Sequence, residues 1–127
     1  MDMVIIDANI ILRIILNDDR KASEDIRAFI DNNNVLVKNE VLAEVIHVLL
    51  KVYQKKKTNI CEYISQIISS KNVSTESTRV ILFALKTFKD KSLDFVDCLL
   101  YAYNRKLGYK IYTLDKKLNN LLNGGGN

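Results

Sequence analysis

Short apolar, β-branched runs alternate along this chain with longer stretches of helical periodicity, and that alternation limits the folds open to it. The runs are MVII at 3–6, VLV at 35–37 and KIYT at 110–113. Runs this short read as strands rather than helices, and apolar residues at consecutive positions suit strands covered on both faces. Parallel strands need crossover connections of a dozen or more residues, usually helical, and the intervening segments supply them. The expectation is an α/β chain, a three-layer α/β/α sandwich around a central parallel sheet, in which ligands collect at the carboxyl ends of the strands. A further strand is expected near 71–74.

The helical segments carry their own signals. Asn9–Leu16 is apolar on nearly every side (Ile10, Ile11, Leu12, Ile14, Ile15, Leu16), as a helix is when it is deeply buried or packed on another chain. Residues 21–31 place Ile26, Phe29 and Ile30 at helical spacing before NNN ends the pattern. From Asn39 a strongly periodic helix carries Val41, Leu42, Val45, Ile46, Leu49, Leu50 and Tyr53. Its end, KVYQKKK, puts cations where the helix dipole favours them. Thr58 is the expected cap of a helix bearing Ile60, Tyr63, Ile64, Ile67 and Ile68, and Ser74 or Thr75 the cap of one bearing Val80, Ile81, Leu85 and Phe88. SLDFVDCLLYAYNRKLG starts from the capping candidate Asp94 and stops at Gly108, and 116–122 form a closing helix.

The 127 residues suit one domain with a real core, expected over 1–123, with GGGN at 124–127 as a disordered tail. A hydrophobic fraction of 48% and a mean hydropathy near zero exclude a disordered chain. The net charge of +4 is a mild basic bias, compatible with a polyanionic partner without establishing one. Cys61 and Cys98 have no metal-ligand spacing and read as buried thiols in a reducing compartment. MDMVIID lacks a basic leader, and no stretch reaches the length of a membrane span. Cytoplasmic residence is therefore expected.

Four acids stand in apolar frames. Asp7 ends the first strand in VIIDANIILR, Glu44 lies in VLAEVIHVLL after the second, Asp97 in LDFVDCLLYA, and Asp115 follows KIYTL. In a parallel sheet the carboxyl ends of the strands share one edge, so these acids could converge. Two carboxylates about 4 Å apart repel by roughly 4 kcal/mol at an effective dielectric near 20. The remedies are shared protons, basic partners or a divalent metal. Oxygen ligands without histidine or cysteine suit Mg²⁺ or Mn²⁺.

The order IIDANIILR, VLAEVIHVL, LDFVDCLLYA, IYTLDKKL resembles the PIN domain of VapC-type toxins over about positions 3 to 122. The resemblance implies the α/β/α sandwich, an acidic pocket binding Mg²⁺ or Mn²⁺, and metal-dependent endoribonuclease activity on RNA. It places the family's four acids on Asp7, Glu44, Asp97 and Asp115, as catalytic and metal-holding residues. Asn9 resembles the polar residue two positions after the first acid, Thr113 the supporting hydroxyl, and Asp94 an additional acid with a secondary role. It also implies a small antitoxin that blocks the pocket, and a homodimer. The apolar Ile10–Leu16 independently points to a protein interface.

Each residue also has a plainer reading. Asp7 and Asp115 can be helix caps, and for Asp94 the cap is the preferred reading. Glu44 and Glu40, one turn apart, can share a solvated face. His47 reads as structural, and Tyr101, Tyr103, Tyr109 and Tyr112 as packing residues that could also stack on bases. Arg13, Arg20, KVYQKKK and Lys116–Lys117 are either phosphate contacts or solvated cations. Two other functions compete with the nuclease: a catalytically silent PIN-like module that binds RNA or protein, and a phosphoryl-accepting receiver domain. The receiver needs an adjacent acid pair after its first strand and a lysine at the end of its last. Asp18-Asp19 comes too late, and the last run here leads into Thr113-Leu114-Asp115.

Overall fold

A computed structural model describes residues 2–124, so residues 125–127 of the expected tail lie outside the described residues. The chain forms two compact units that divide after Glu76.

Unit 1 is built on a parallel sheet of β1 (Met3–Ile5), β2 (Asn34–Val37) and β3 (Val73–Thr75), in that spatial order. Val4 pairs with Val35, and Val35 with Val73. The crossovers are α1 (Ala8–Leu16) with α2 (Arg20–Asp31), and α3 (Asn39–Lys51) with α4 (Lys57–Ile68). Right-handed crossovers that step the same way across a sheet lie on one face, and α1 packs on both α2 and α3. Val35, Val37 and Val73 are buried and share a face with half-buried Val4. Ile11, Leu42, Val45, Ile46, Leu49, Ile60 and Ile64 are also buried, at the spacing their helices impose. On the opposite face of β1, Met3 and Ile5 are 46% and 60% exposed.

Helix α1 resolves the question its sequence raises. Ala8, Ile11 and Ile14 are buried, Ile10, Leu12, Ile15 and Leu16 half-buried, and Asn9 and Arg13 exposed. It ends on Asn17 in the left-handed region, whose N–H donates to the Arg13 carbonyl at 3.0 Å. Asparagine tolerates that conformation better than most side chains.

Unit 2 is helical: α5 (Thr78–Asp90), α6 (Phe95–Leu107) and α7 (Lys116–Leu122). Phe88 and Phe95 meet edge to face with ring centroids 6.0 Å apart, a favoured aromatic geometry. Farther along the same pair of helices Phe83 faces Tyr101 at 5.7 Å. Arg105 lies over Tyr101 and Lys106 over Phe83. Gly108, at φ +74°, ends α6. Beyond it Tyr109 stacks on Tyr103 with rings 2° from parallel.

Three expectations are corrected. Residues 110–113 form no strand. The run has the right composition, but a strand exists only through a ladder partner, and Tyr112 and Leu114 stand 95% and 88% exposed. Thr58 does not cap α4. That helix starts at Lys57, behind Lys56, without a side-chain cap bond. Ser74 and Thr75 belong to β3, and Ser77 caps α5 by accepting from the Val80 N–H at 3.3 Å.

Candidate functional site

The candidate acids fall in both units. In unit 1, Asp7 follows β1 at the carboxyl edge of the sheet and is the N-cap of α1. Its Oδ1 accepts from the Ile10 N–H at 3.2 Å. The helix dipole and solvent offset its charge, since the residue is exposed and anions are favoured at helix amino ends. Asn9 is exposed in the first turn of α1.

Glu44 lies in α3, which leaves the same sheet edge after β2. Leu42, Val45 and Ile46 around it in sequence are buried, while Glu44, like Glu40 and His47, is exposed. Neighbours in a helical sequence point about 100° apart, so an apolar frame in sequence is not an apolar surround in space.

The start of α3 depends on a residue that the sequence pattern does not reveal. Its N-cap, Lys38, makes no side-chain cap bond. Glu76, just after β3, supplies it from a distance. Glu76 Oε2 accepts from the Asn39 N–H at 2.7 Å, and Oε1 accepts from Lys38 Nζ at 3.0 Å. The backbone hydrogen bond from Asn39 holds the Glu76 carboxyl below its ordinary value. Partial burial opposes that shift, and the hydrogen bond and charge of Lys38 add to it. No local spacing could have found this contact, because 37 residues separate Glu76 from Asn39.

Unit 2 gathers three acids around the start of α6 and of α7. Asp94 caps α6, its Oδ1 accepting from the Asp97 N–H at 2.9 Å. Asp115 caps α7, its Oδ1 accepting from the Leu118 N–H at 2.8 Å. Thr113 Oγ1 accepts from the Asp115 N–H at 3.1 Å, and the Thr113 carbonyl accepts from Asn119 Nδ2 at 2.8 Å. Thr113 thereby fixes the backbone on which Asp115 stands. Asp97 is half-buried, and its carboxyl is pushed above the ordinary range. Burial is the main cause, followed by the charges of Asp94 and Asp115 and the hydrogen bond with Asp94. The position of Asp97 in the first turn of α6 would lower it; burial and its acidic neighbours outweigh that.

A divalent cation would relieve this electrostatic cost. Oxygen-only donors suit Mg²⁺, which takes one or two carboxylates and keeps several waters. The caps of Asp7 and Asp115 engage only Oδ1, which leaves the second oxygen of each outside the cap bond. The oxygen-only chemistry of the acids around Asp97 in unit 2 therefore fits such an ion. Among the described residues, no three histidine, cysteine, aspartate or glutamate side chains are grouped so as to hold one. No helix among them is long and apolar enough to cross a membrane.

The comparisons bear on the whole chain. The family model described as PIN domain matches residues 4–121, a span that includes Asp7, Asn9, Glu44, Asp94, Asp97, Thr113 and Asp115. No curated protein and no solved structure matches the chain. PIN domains are generally nucleases, typically with divalent metals, so the match supports a hydrolase acting on nucleic acid. The parallel sheet, the helical crossovers and the extent of the match lead to one assignment: the chain belongs to the PIN-domain family.

Proposed function

We propose that the protein is a Mg²⁺- or Mn²⁺-dependent endoribonuclease, a single domain over residues 1–123, acting as the toxin of a toxin–antitoxin pair. The observation that carries this reading is Asp97, an acid whose charge is disfavoured by burial and by Asp94 and Asp115 in a chain of a nuclease family. Asp7, Glu44 and Asp97 would hold the principal cation, with Asp115 holding or orienting a second. When bound, the cation supplies the acidity that lets water attack at neutral pH and the charge that offsets that of the leaving oxygen.

The chain's own residues set the geometry of the reaction. Asp94 fixes the first turn of α6 and so the backbone of Asp97. Thr113 does the same for Asp115, which orients the attacking water. Asn9 supports the site from α1. Water adds to phosphorus in line and gives up a proton to solvent, while the bond to O3′ breaks and O3′ takes up a proton from solvent. The products carry a 5′-phosphate and a 3′-hydroxyl.

Purified protein incubated with total RNA, with and without Mg²⁺ or Mn²⁺, tests this reading through the mapped ends. EDTA-sensitive cuts with 5′-phosphates are expected; intact RNA in the presence of both metals would exclude it. The antitoxin would occupy the acidic pocket, and the Ile10–Leu16 segment of α1 would contribute to a homodimer through its half-buried Ile10 and Ile15. A monomer at high concentration by sedimentation would remove the dimer. Such a toxin acts in the cytoplasm.

A second reading has an observation of its own. Asp7, Asp94 and Asp115 all act as helix caps, which accounts for three acids without chemistry. A catalytically silent module that binds RNA or protein would bind without cutting in the same incubation.

A further inference from the structure

A recess of about 260 Å³ lies in unit 1 between one side of α1 and the turn that ends α3. Asn9, Leu12, Arg13 and Leu16 line it from α1, together with Asp18 and Tyr53. The turn fixes Tyr53 in place. Gln54 adopts a left-handed backbone at φ +51°, while the Tyr53 N–H donates to the Val48 carbonyl at 3.2 Å and the Lys55 N–H to the Leu49 carbonyl at 2.9 Å. Tyr53 lines the recess and is still 48% exposed.

We propose that this recess binds one nucleotide of a single-stranded RNA, its base stacked on Tyr53 and its phosphate on Arg13. The proposal rests on the nuclease reading and adds to it a subsite beside the acids. Pockets for drug-sized ligands begin at about 300 Å³, so this one suits a single nucleobase. An exposed aromatic ring is a platform for any base, and half-buried Leu12 and Leu16 form an apolar wall. Arg13 is exposed and forms no ion pair among the described residues, and its planar guanidinium matches a phosphate. Asn9 and the Asp18 carboxylate offer hydrogen-bonding partners to a base edge. The carboxylate repels phosphate and so orients the nucleotide with its phosphate at Arg13. Lys51 and Lys56, both exposed, flank the Tyr53 turn in sequence and add to the attraction for a polyanion. Asn9 lies two residues, about 3 Å of helix rise, beyond Asp7. The subsite would therefore hold a nucleotide close to the scissile bond.

The test is fluorescence anisotropy of a labelled single-stranded RNA decamer, mixed with the full chain in EDTA so that nothing is cut. Tyr53→Ala is expected to weaken binding about tenfold and Tyr53→Phe to retain it. Arg13→Ala is expected to weaken binding and flatten its salt dependence by about one unit of slope. Wild-type binding in Tyr53→Ala, equal loss in Tyr53→Phe, or no binding by the wild type would each overturn the subsite. Thermal melts of all variants identify loss of fold. The two readings fail separately. Binding that depends on Tyr53 without metal-dependent cleavage removes the nuclease and leaves the subsite. Cleavage with an unchanged KM in Tyr53→Ala removes the subsite and leaves the nuclease.

Discussion

Glu76 caps a helix that begins 37 residues before it, accepting the Asn39 N–H at 2.7 Å. Lys38, at the N-cap position, provides no such bond, so the carboxylate at the end of β3 fastens the start of the helix that carries Glu44. Local capping is replaced by a tertiary contact, and the placement of a candidate site residue depends on it.

Glu76→Ala should lower stability by about 1 kcal/mol, the usual effect of losing a cap, read as a lower urea midpoint. The folded-state carboxyl lies below its ordinary value of 4.5. Its stabilising contribution is thus fully present above that value and is lost as pH falls through the folded pKa. Wild type and variant should differ at pH 7 and converge in strong acid. A gap that persists undiminished there would show that the charge is not what matters.

Asp97 has the opposite sign. Its folded-state carboxyl lies above the ordinary 3.8, so folding binds a proton, and stability falls as pH rises from the ordinary value through the folded pKa. Asp97→Asn should therefore melt higher than wild type at pH 7 without divalent metal, and equally in strong acid. Added Mg²⁺ should raise the melting temperature of the wild type and leave the variant nearly unmoved.

At Asp7 two roles can be separated by two substitutions. Asparagine caps about as well as aspartate, whereas alanine costs about 1 kcal/mol at an N-cap. Asp7→Asn should keep wild-type stability and lose cleavage, and Asp7→Ala should lose both. If Asp7→Asn cuts RNA at the wild-type rate, the residue is a cap alone.

Gly108 isolates a backbone effect. A Cβ there would meet nothing within 4 Å, yet φ is +74°. Gly108→Ala should cost about 1 kcal/mol through backbone strain alone, and Gly108→Asn less. Chemical denaturation of the three proteins would rank them.

The features legible in the sequence are those set by nearby residues. The strands near 3–6 and 35–37, the helix from Asn39, the Asp94 cap and the Gly108 stop follow from side-chain period and turn chemistry. KIYT at 110–113 misled because its pairing is not encoded in the run itself. The weakly signalled strand near 71–74 exists because β2 pairs with it. The candidate acids could be picked from their frames, but not their exposure. Glu44 reads as enclosed along the chain, yet it faces outward on the helix. Glu76 looks like any surface acid, and only the fold gives it a partner.

Each unit also carries a single buried thiol: Cys61 in α4, 8% exposed, and Cys98 in α6, 0% exposed. Alkylating reagents reach such sulfurs only when the surrounding structure opens. Labelling followed by mass spectrometry can thus time the opening of either half without engineering a probe. Equal rates at the two sulfurs would mean that both units open in a single event, and unequal rates that one gives way first.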